Sequence, residues 1–356
     1  MRNETRLLFN AYAAQIAALN HVGDAFVSFT ADPSVQQTLE TKIQESSDFL
    51  GKVNNIGVRE QAGQRVGLGI GSTIASTTDT SGEGERKPFD PTALDARGYL
   101  CTQTNFDTAI RYAKLDAWAK FPDFQTRIRD TILRRQALDI ITIGFNGASR
   151  AATSDRANNP LLEDVNIGWL EKIRTEAEER VLSEIVTNSG KVTLGADTAH
   201  GVYGDYGNID ALVYDVVNNL IDPWYRNDTQ LVVILGRKLF ADKYFPLINS
   251  NVQPTEKIAA DLIVSQKRIG GLQAVQVPYF PEDSLLVTRL DNLSRYYQDG
   301  ARRRYLKDHP EKDQIENFES SNDAYVVEDY GLVALVENIA DAAVPEEVAP
   351  APGGDD

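Results

Sequence analysis

Apolar residues near the start of the chain recur at helical spacing. Leu8, Tyr12, Ile16 and Leu19 form one apolar stripe, which predicts a helix over residues 3–19. The stretch up to residue 32 breaks this pattern, and we expect it to be an accessible connector.

A second helix begins at Asp32, because Asp is a favoured N-cap and Pro33 suits the first helical position. We expect the buried face of this helix to be an apolar stripe that consists of Val35, Leu39, Ile43 and Leu50. A hairpin separates both helices from the rest of the chain, so they predict an arm.

Residues 58–107 have the pattern of an extended hairpin. Two strand-like arms flank a long polar tip, in which Ile74 is the one large apolar residue. Such a tip cannot build its own core, and a two-stranded ribbon alone in water is marginal. The pattern therefore predicts that the hairpin lies on another subunit.

The strongest helical pattern runs from Pro122 to Ile143, and its end is apolar around more of the circumference. A further helical stripe comprises Trp169, Ile173, Ala177, Val181 and Ile185. Beyond it, helices alternate with apolar strands, which predicts a compact α/β lobe. Its elements are a helix capped by Asn208, a strand at Leu231–Leu235, a helix at Lys238–Phe245, and strands at Ala274–Val277 and Leu285–Thr288.

Two long strands, Gln314–Ser320 and Tyr325–Val336, are predicted after this lobe. From Ala340 onward the chain is rich in Ala, Pro, Glu, Gly and Asp. Such a segment has too little apolar surface to fold, so we expect an acidic, disordered tail over residues 340–356.

Composition places the chain among ordinary globular proteins of two or three lobes, with 356 residues, 42% of them hydrophobic. It has one cysteine, no apolar run long enough for a membrane span, and no signal-peptide pattern. We therefore expect a soluble protein made in the cytoplasm. The net charge of −16 argues against binding nucleic acid by phosphate neutralisation.

Candidate chemistry is sparse. Gly67, Gly69 and Gly71 lack the following helix that a phosphate loop needs. The histidines have no partner at zinc-ligand spacing, and Cys101 in a strand pattern is best explained as a small core residue. An enzyme alternative remains, a hydrolase with His200 as base, although no G-x-S-x-G elbow accompanies it. We expect no enzyme, cofactor or metal site.

Several strings along the chain make it similar to a known family. They are Met1-Arg-Asn-Glu-Thr-Arg, Phe9-Asn-Ala-Tyr, Gln44-Glu-Ser-Ser-Asp-Phe-Leu, Ser72-Thr-Ile-Ala-Ser-Thr-Thr-Asp-Thr, Gly144-Phe-Asn-Gly, Ala152-Thr-Ser-Asp-Arg, Val165-Asn-Ile-Gly-Trp-Leu, Asp242-Lys-Tyr-Phe-Pro, Ile263-Val-Ser-Gln-Lys-Arg-Ile-Gly and Tyr325-Val-Val-Glu-Asp-Tyr. The chain resembles the major capsid proteins of tailed bacteriophages, closest to the P-two-like temperate myophage branch.

The resemblance implies the α+β Hong Kong 97 phage capsid fold. Laid on the sequence, it gives an N-terminal arm (1–55, the first thirty or so cleaved), an extended loop (58–107), a peripheral domain (108–207) with a spine helix (122–143), an axial domain (208–290), return strands of the peripheral domain (291–339) and the tail (340–356). It also implies hexamers and pentamers that close an icosahedral head around double-stranded DNA, with a scaffolding protein, a prohead protease and a portal protein as partners. An encapsulin-type compartment of the same fold is the alternative.

Two sets of residues are expected to have roles in processing and assembly. The predicted processing region is Phe29, Thr30, Ala31 and Asp32. The predicted subunit interfaces use the hairpin tip, the basic side of the spine helix and a basic run, namely Ile74, Asp79, Glu83, Arg86, Lys87, Arg134, Arg135, Arg302, Arg303 and Arg304. We expect the arginines to pair with carboxylates across those interfaces.

Overall fold

The computed structural model describes residues 1–64, 67–70, 75, 77–79, 81, 85–86, 92–95, 97–121, 123–197, 201–249 and 267–342. The predicted interface residues Ile74, Glu83 and Lys87 lie outside this part of the chain, as does His200. The chain forms two compact units. Unit 1 comprises Met1–Lys172 with Leu290–Tyr330, and unit 2 comprises Ile173–Arg289 with Gly331–Asp356.

Helices and strands both contribute to the fold. The helices are α1 (Asn3–Leu19), α2 (Pro33–Glu45), α3 (Tyr112–Trp118), α4 (Phe124–Asn146), α5 (Trp169–Glu176), α6 (Ile209–Leu220) and α7 (Arg237–Asn249). The strands are β1 (Phe29–Thr30), β2 (Asn54–Val58), β3 (Ala62–Gln64), β4 (Gly67–Ile70), β5 (Thr92–Asp95), β6 (Gly98–Leu100), β7 (Thr102–Asn105), β8 (Thr108–Arg111), β9 (Val181–Leu182), β10 (Val192–Leu194), β11 (Ala196–Asp197), β12 (Val202–Tyr203), β13 (Val232–Leu235), β14 (Arg268–Ile269), β15 (Leu272–Gln276), β16 (Leu285–Thr288), β17 (Leu293–Gln298), β18 (Arg303–His309), β19 (Gln314–Val327), β20 (Ala334–Val336) and β21 (Ile339–Asp341).

Unit 1 is built on a seven-stranded sheet in which β19 is the central strand. The main path runs β1-β18-β19-β17-β2, and β7 and β8 also pair with β19. The β17–β2 pair is parallel, whereas the other pairs are antiparallel. Because β19 is 14 residues long, its successive segments reach β18, β17, β7 and β8.

The hairpin arms form two short antiparallel ladders. In the first ladder Ala62 pairs with Leu100, and in the second Gly67 pairs with Asp95. The side chains of β3 and β6 are exposed or half-buried. A narrow ribbon of this kind buries little apolar surface within its own chain.

Unit 2 has a six-stranded sheet in the order β14-β15-β13-β16-β20-β9. All four residues of β13 and of β16 are buried, as expected for central strands covered on both faces. Helix α6 packs Leu212, Val213 and Val216 into the same apolar core. The Asn208 side chain caps α6 by accepting a hydrogen bond from the Ala211 amide.

Three predicted elements differ from the structure. The helix that starts at Trp169 ends at Glu176, because Val181–Leu182 instead form a strand parallel to β20. The last predicted long strand is divided, since β19 ends at Val327 in unit 1 and β20 pairs with β16 in unit 2. The prediction of disorder from residue 340 is also wrong for the first residues of that segment, because Ala340 and Asp341 pair with β10.

Candidate functional site

The N-terminal helix α1 is seated on unit 1 by an apolar face. Phe9, Tyr12, Ala13, Ile16 and Ala17 are buried there. They form one cluster with apolar residues of α3, α4, β18 and β19, which are Tyr112, Leu115, Phe124, Ile128, Ile132, Leu306 and Ile315. We call the last seven residues the arm seat.

The predicted stripe of α1 is partly wrong. Leu8 and Leu19 are exposed, at 38% and 55% of their surface, and the small side chains of Ala13 and Ala17 take the buried positions. Alanine lets the helix approach its neighbours closely, so a stripe drawn through the larger apolar residues is rotated from the true one.

Polar contacts fix the start and middle of α1. The Arg6 guanidinium lies 2.7 Å from an Asp308 carboxylate oxygen, and Tyr112 also donates a hydrogen bond to Asp308. Although partial burial opposes it, these two donors hold the pKa of Asp308 below its usual value. Arg304 donates to the Tyr12 hydroxyl at 3.2 Å.

The predicted processing region lies in a strand. Phe29 and Thr30 pair with Arg304 and Arg303 at the edge of the sheet, and the Ala31 amide donates to the Arg302 carbonyl. Phe29 and Ala31 are buried, whereas Val27 is 62% exposed. The expected accessible connector is therefore confined to the residues before Phe29, because backbone pairing covers residues 29–31.

Helix α2 begins as predicted, but its buried face is polar. The Asp32 side chain accepts a hydrogen bond from the Ser34 amide, and proline occupies the first turn. The buried residues of the helix are Gln36, Glu40 and Ile43. The expected stripe is partly wrong: Ile43 and Leu50 are buried, but Val35 and Leu39 are only half-buried, because Glu40 faces inward to reach two arginines.

A buried ion network joins α2, α4 and the sheet. Glu40 accepts hydrogen bonds from Arg295 and Arg302, both at 2.6 Å. Arg302 also contacts Glu319 at 2.6 Å, and Arg295 contacts Asp323 at 2.7 Å. The side chains of all five are at most 4% exposed. Each of these groups contacts an opposite charge inside unit 1, as burial of an ion requires.

The network shifts the pKa values of its acidic groups in opposite directions. Burial alone would raise the pKa of Glu319, but Arg302 and Arg304 lower it to about 2. Burial raises the pKa of Asp323 despite Arg295, and the neighbouring charge of Glu40 adds to the rise. Gln136 of α4 completes the network by donating to Glu319 and accepting from Arg302.

The second half of α4 is covered by aromatic side chains. Phe145 lies 5.1 Å from Trp169 and 5.5 Å from Phe49 between ring centroids. A Cβ added at Gly144 would lie 2.3 Å from the Trp169 ring, so glycine is required for this close approach. Ile141, in the same turn, is fully buried.

The predicted interface residues differ in their exposure. Arg302 is 1% exposed and fully engaged within the chain, so its prediction as an intersubunit residue is wrong. Arg304 is half-buried and bonds to Asn317 and Tyr12. Arg134 and Arg303 are exposed, whereas Arg135 is exposed but lies 2.5 Å from Asp139. In the tip, Asp79 and Arg86 are exposed.

Among the residues that the structure describes, those with catalytic chemistry lie in separate settings. Cys101 is buried, and burial raises the pKa of its thiol to about 12, which suppresses the thiolate. His309 contacts Glu316, and His21 lies on an exposed turn. Within the described ranges, no group of three or more His, Cys, Asp or Glu residues could hold a metal ion. Over those ranges, too, no helix has the length and apolarity needed to cross a bilayer.

The sequence matches the family described as "Phage major capsid protein, P2 family" over residues 8–339. The chain belongs to this family. P2-family capsid proteins are structural proteins of the phage particle, and the chain is accordingly a major capsid protein and a component of the virion.

Two relatives extend over almost the whole P2-family chain. The "Capsid proteins" of Escherichia phage P2 are 51% identical over 357 residues, covering 99% of this chain and 100% of that one. The "Major capsid protein" of Serratia phage KSP20 is 43% identical, covering 95% and 97%. Both are phage proteins, and neither relative favours the encapsulin alternative.

A solved structure shares the fold. It is described as "Satellite phage P4 procapsid including size determination (Sid) protein", and it superposes with a TM-score of 0.79 at 49% identity. The match covers 96% of this chain and 99% of that chain. The mixed helix and strand fold is therefore that of a phage capsid subunit.

Proposed function

We propose that this capsid protein assembles with itself as hexamers and pentamers, which close into an icosahedral head. The observation that carries the proposal is the hairpin, in which the side chains of β3 and β6 are exposed or half-buried within the chain. Exposed strand edges favour pairing with a neighbouring subunit, and a two-stranded ribbon is marginally stable without such support. The capsid family supports a closed shell built from copies of one chain.

The parts of the Hong Kong 97 phage fold can be assigned to the described elements. Residues 1–55 would be the arm, the ribbon around β3–β6 the extended loop, and α4 the spine helix. Unit 1 would then hold the peripheral domain and unit 2 the axial domain. This assignment extends the axial domain beyond residues 208–290, because β9, β10, β20 and β21 belong to unit 2.

The head would enclose double-stranded DNA without sequence-specific binding. A net charge of −16 gives no gain from releasing the counterions of DNA, so the genome would not adhere to the wall. The same charge opposes contact between copies, so exposed cations such as Arg86, Arg134 and Arg303 are the ones suited to neighbouring carboxylates.

Assembly would use further phage proteins in the host cytoplasm. We infer a scaffolding protein, a portal protein at one vertex, and a prohead protease that cuts near Phe29–Asp32. The location is supported by a change in attachment there: residues before 32 pack on the arm seat, and residues after it join the buried ion network. Because residues 29–31 pair with the sheet edge, cutting would require that pairing to open.

Deleting residues 73–85 of the hairpin tip tests the assembly role. We expect a folded, soluble protein that forms few or fragile shells, because an intersubunit contact is lost without loss of core. Negative-stain microscopy of the protein with its scaffolding partner is the measurement, and circular dichroism checks the fold. Shells of normal number and stability would contradict the proposal.

A further inference from the structure

Residues 1–31 are the first part of the N-terminal arm, and from here on the word arm means these residues alone. They are held by contacts that do not depend on the peptide bond to residue 32. The arm seat is formed by residues from 112 onward, far from the arm in sequence. Phe9 and Ile16 are 3% and 6% exposed against it. Burial of apolar surface of this kind persists whether or not the two partners share one chain.

Directional contacts lie at both ends of the arm. At its start, Arg6 pairs with Asp308, and the Arg2 amide donates to Asp116 at 2.9 Å. Further along, the Ala25 carbonyl accepts a hydrogen bond from the Leu306 amide. These bonds fix the position and direction of the segment, and none of them involves a residue between 32 and 111.

We propose that the arm seat is a peptide-binding site whose ligand is the N-terminal segment of this chain, and that it retains this segment after the chain is cut. The location of a natural cut rests on the proposed function, but the seat does not. Cutting would then lower the local concentration of the arm without releasing it at once. Exit of the arm would be a separate step.

The experiment uses the full chain. A recognition sequence for a heterologous protease is inserted between Val27 and Ser28, which are both exposed. After complete cutting, size-exclusion chromatography at micromolar concentration shows whether residues 1–27 elute with the remainder. A fluorescently labelled peptide of residues 1–27 is then added, to measure exchange into the seat.

We expect co-elution, followed by slow exchange with the labelled peptide. In the same background, Phe9→Ala should speed loss of the fragment at least about a hundredfold, since it removes a buried ring from the cluster. Leu7→Ala is the matched control, because Leu7 is 71% exposed on the same helix, and it should leave the loss rate unchanged.

Prompt separation of the fragment from a remainder that stays folded by circular dichroism would overturn the proposal. Equal loss rates for the Phe9 and Leu7 variants would also overturn it, because the contact would then not be made through the seat. The protease is not a phage enzyme, so the result does not depend on natural processing. Uncut subunits in mature heads would sink the proposed cleavage and leave this binding site intact.

Discussion

The two halves of helix α4 are covered by different kinds of neighbour. Its first half, with Phe124 and Ile128, packs under α1. Its second half, with Ile141 and Phe145, is enclosed in unit 1, where Phe49 and Trp169 pack against Phe145. Both halves are buried, but the cover of the first half is a terminal segment, whereas the cover of the second half comes from residues further along the chain.

The ion network marks the boundary between the two halves. Gln136, near the middle of α4, contacts Glu319 and Arg302, and Arg302 contacts Glu40 of α2. Helix α2 is thus attached by buried charges whose separation is costly. The arm before it is attached by buried apolar contact and by one partly exposed ion pair, Arg6–Asp308, and a pair of that kind contributes little. If residues 1–31 are removed as proposed, the first half of α4 loses its cover and the second half keeps it.

The largest effect should come from a charge placed in the buried second half of α4. Ile141→Asp buries a carboxylate without a partner, which costs several kcal/mol, and we expect insoluble protein. Ile128→Asp is the matched change under the arm, and it should give soluble protein whose first 31 residues are hypersensitive to protease. Soluble Ile141→Asp protein that still assembles would contradict the comparison.

Breaking the ion network should have the next largest effect on stability. Arg302→Met leaves Glu40 and Glu319 short of a buried partner, so we expect a loss of about 3–5 kcal/mol in the free energy of unfolding. Urea denaturation measures it. Arg303→Met, on the neighbouring exposed side chain, should change the value by at most about 0.5 kcal/mol. Similar losses in both variants would show that the network does not stabilise the fold.

Acid should weaken the same network. The pKa of Glu319 is about 2 in the folded chain, against an ordinary value of 4.5. Its contribution is therefore complete above pH 4.5 and lost as the pH falls toward 2, with roughly 2 kcal/mol lost by pH 3. Asp323, whose pKa is raised, contributes with the opposite sign. Glu319→Gln should flatten the profile of unfolding free energy between pH 5 and pH 3, and an unchanged profile would refute the assignment.

The smallest effect should come from the polar anchor of the arm. Asp308→Asn weakens a pair whose side chains are 44% and 26% exposed, so the expected cost is about 0.2–1 kcal/mol. We expect a few-fold faster proteolysis of residues 1–31, with no change in global unfolding. Asp313→Asn is the control, because Asp313 is exposed and asparagine tolerates its left-handed backbone. Equal proteolysis rates in the two variants would show that Asp308 does not anchor the arm.

Local signals in the sequence predict much of this architecture. The cap at Asp32–Pro33 starts α2 where expected, and the predicted helix over residues 122–143 is found at Phe124–Asn146. Both succeed because N-caps and apolar periodicity act within a few residues. The glycine at position 144, in one of the strings shared with the family, also has a physical explanation. Gly144 lies against Trp169, which belongs to the 165–170 string.

The candidate site is less predictable, because its partners are distant in sequence. Arg302 and Glu40 are 262 residues apart, and a basic run gives no sign of which arginine turns inward. Ala13 and Ala17 were missed because small side chains carry a weak apolar signal. Likewise, the pairing of Ile339–Asp341 with β10 overrides the polar composition that suggested disorder from residue 340.

Terminal sequencing of subunits from DNA-filled heads shows whether the chain divides near residue 32 into a removable arm and a fixed body. We expect loss of Met1 and a new terminus close to Phe29–Asp32, just ahead of α2. An intact Met1 terminus, or a cut beyond Leu50 within the segment that the ion network and aromatic cluster hold, would contradict it.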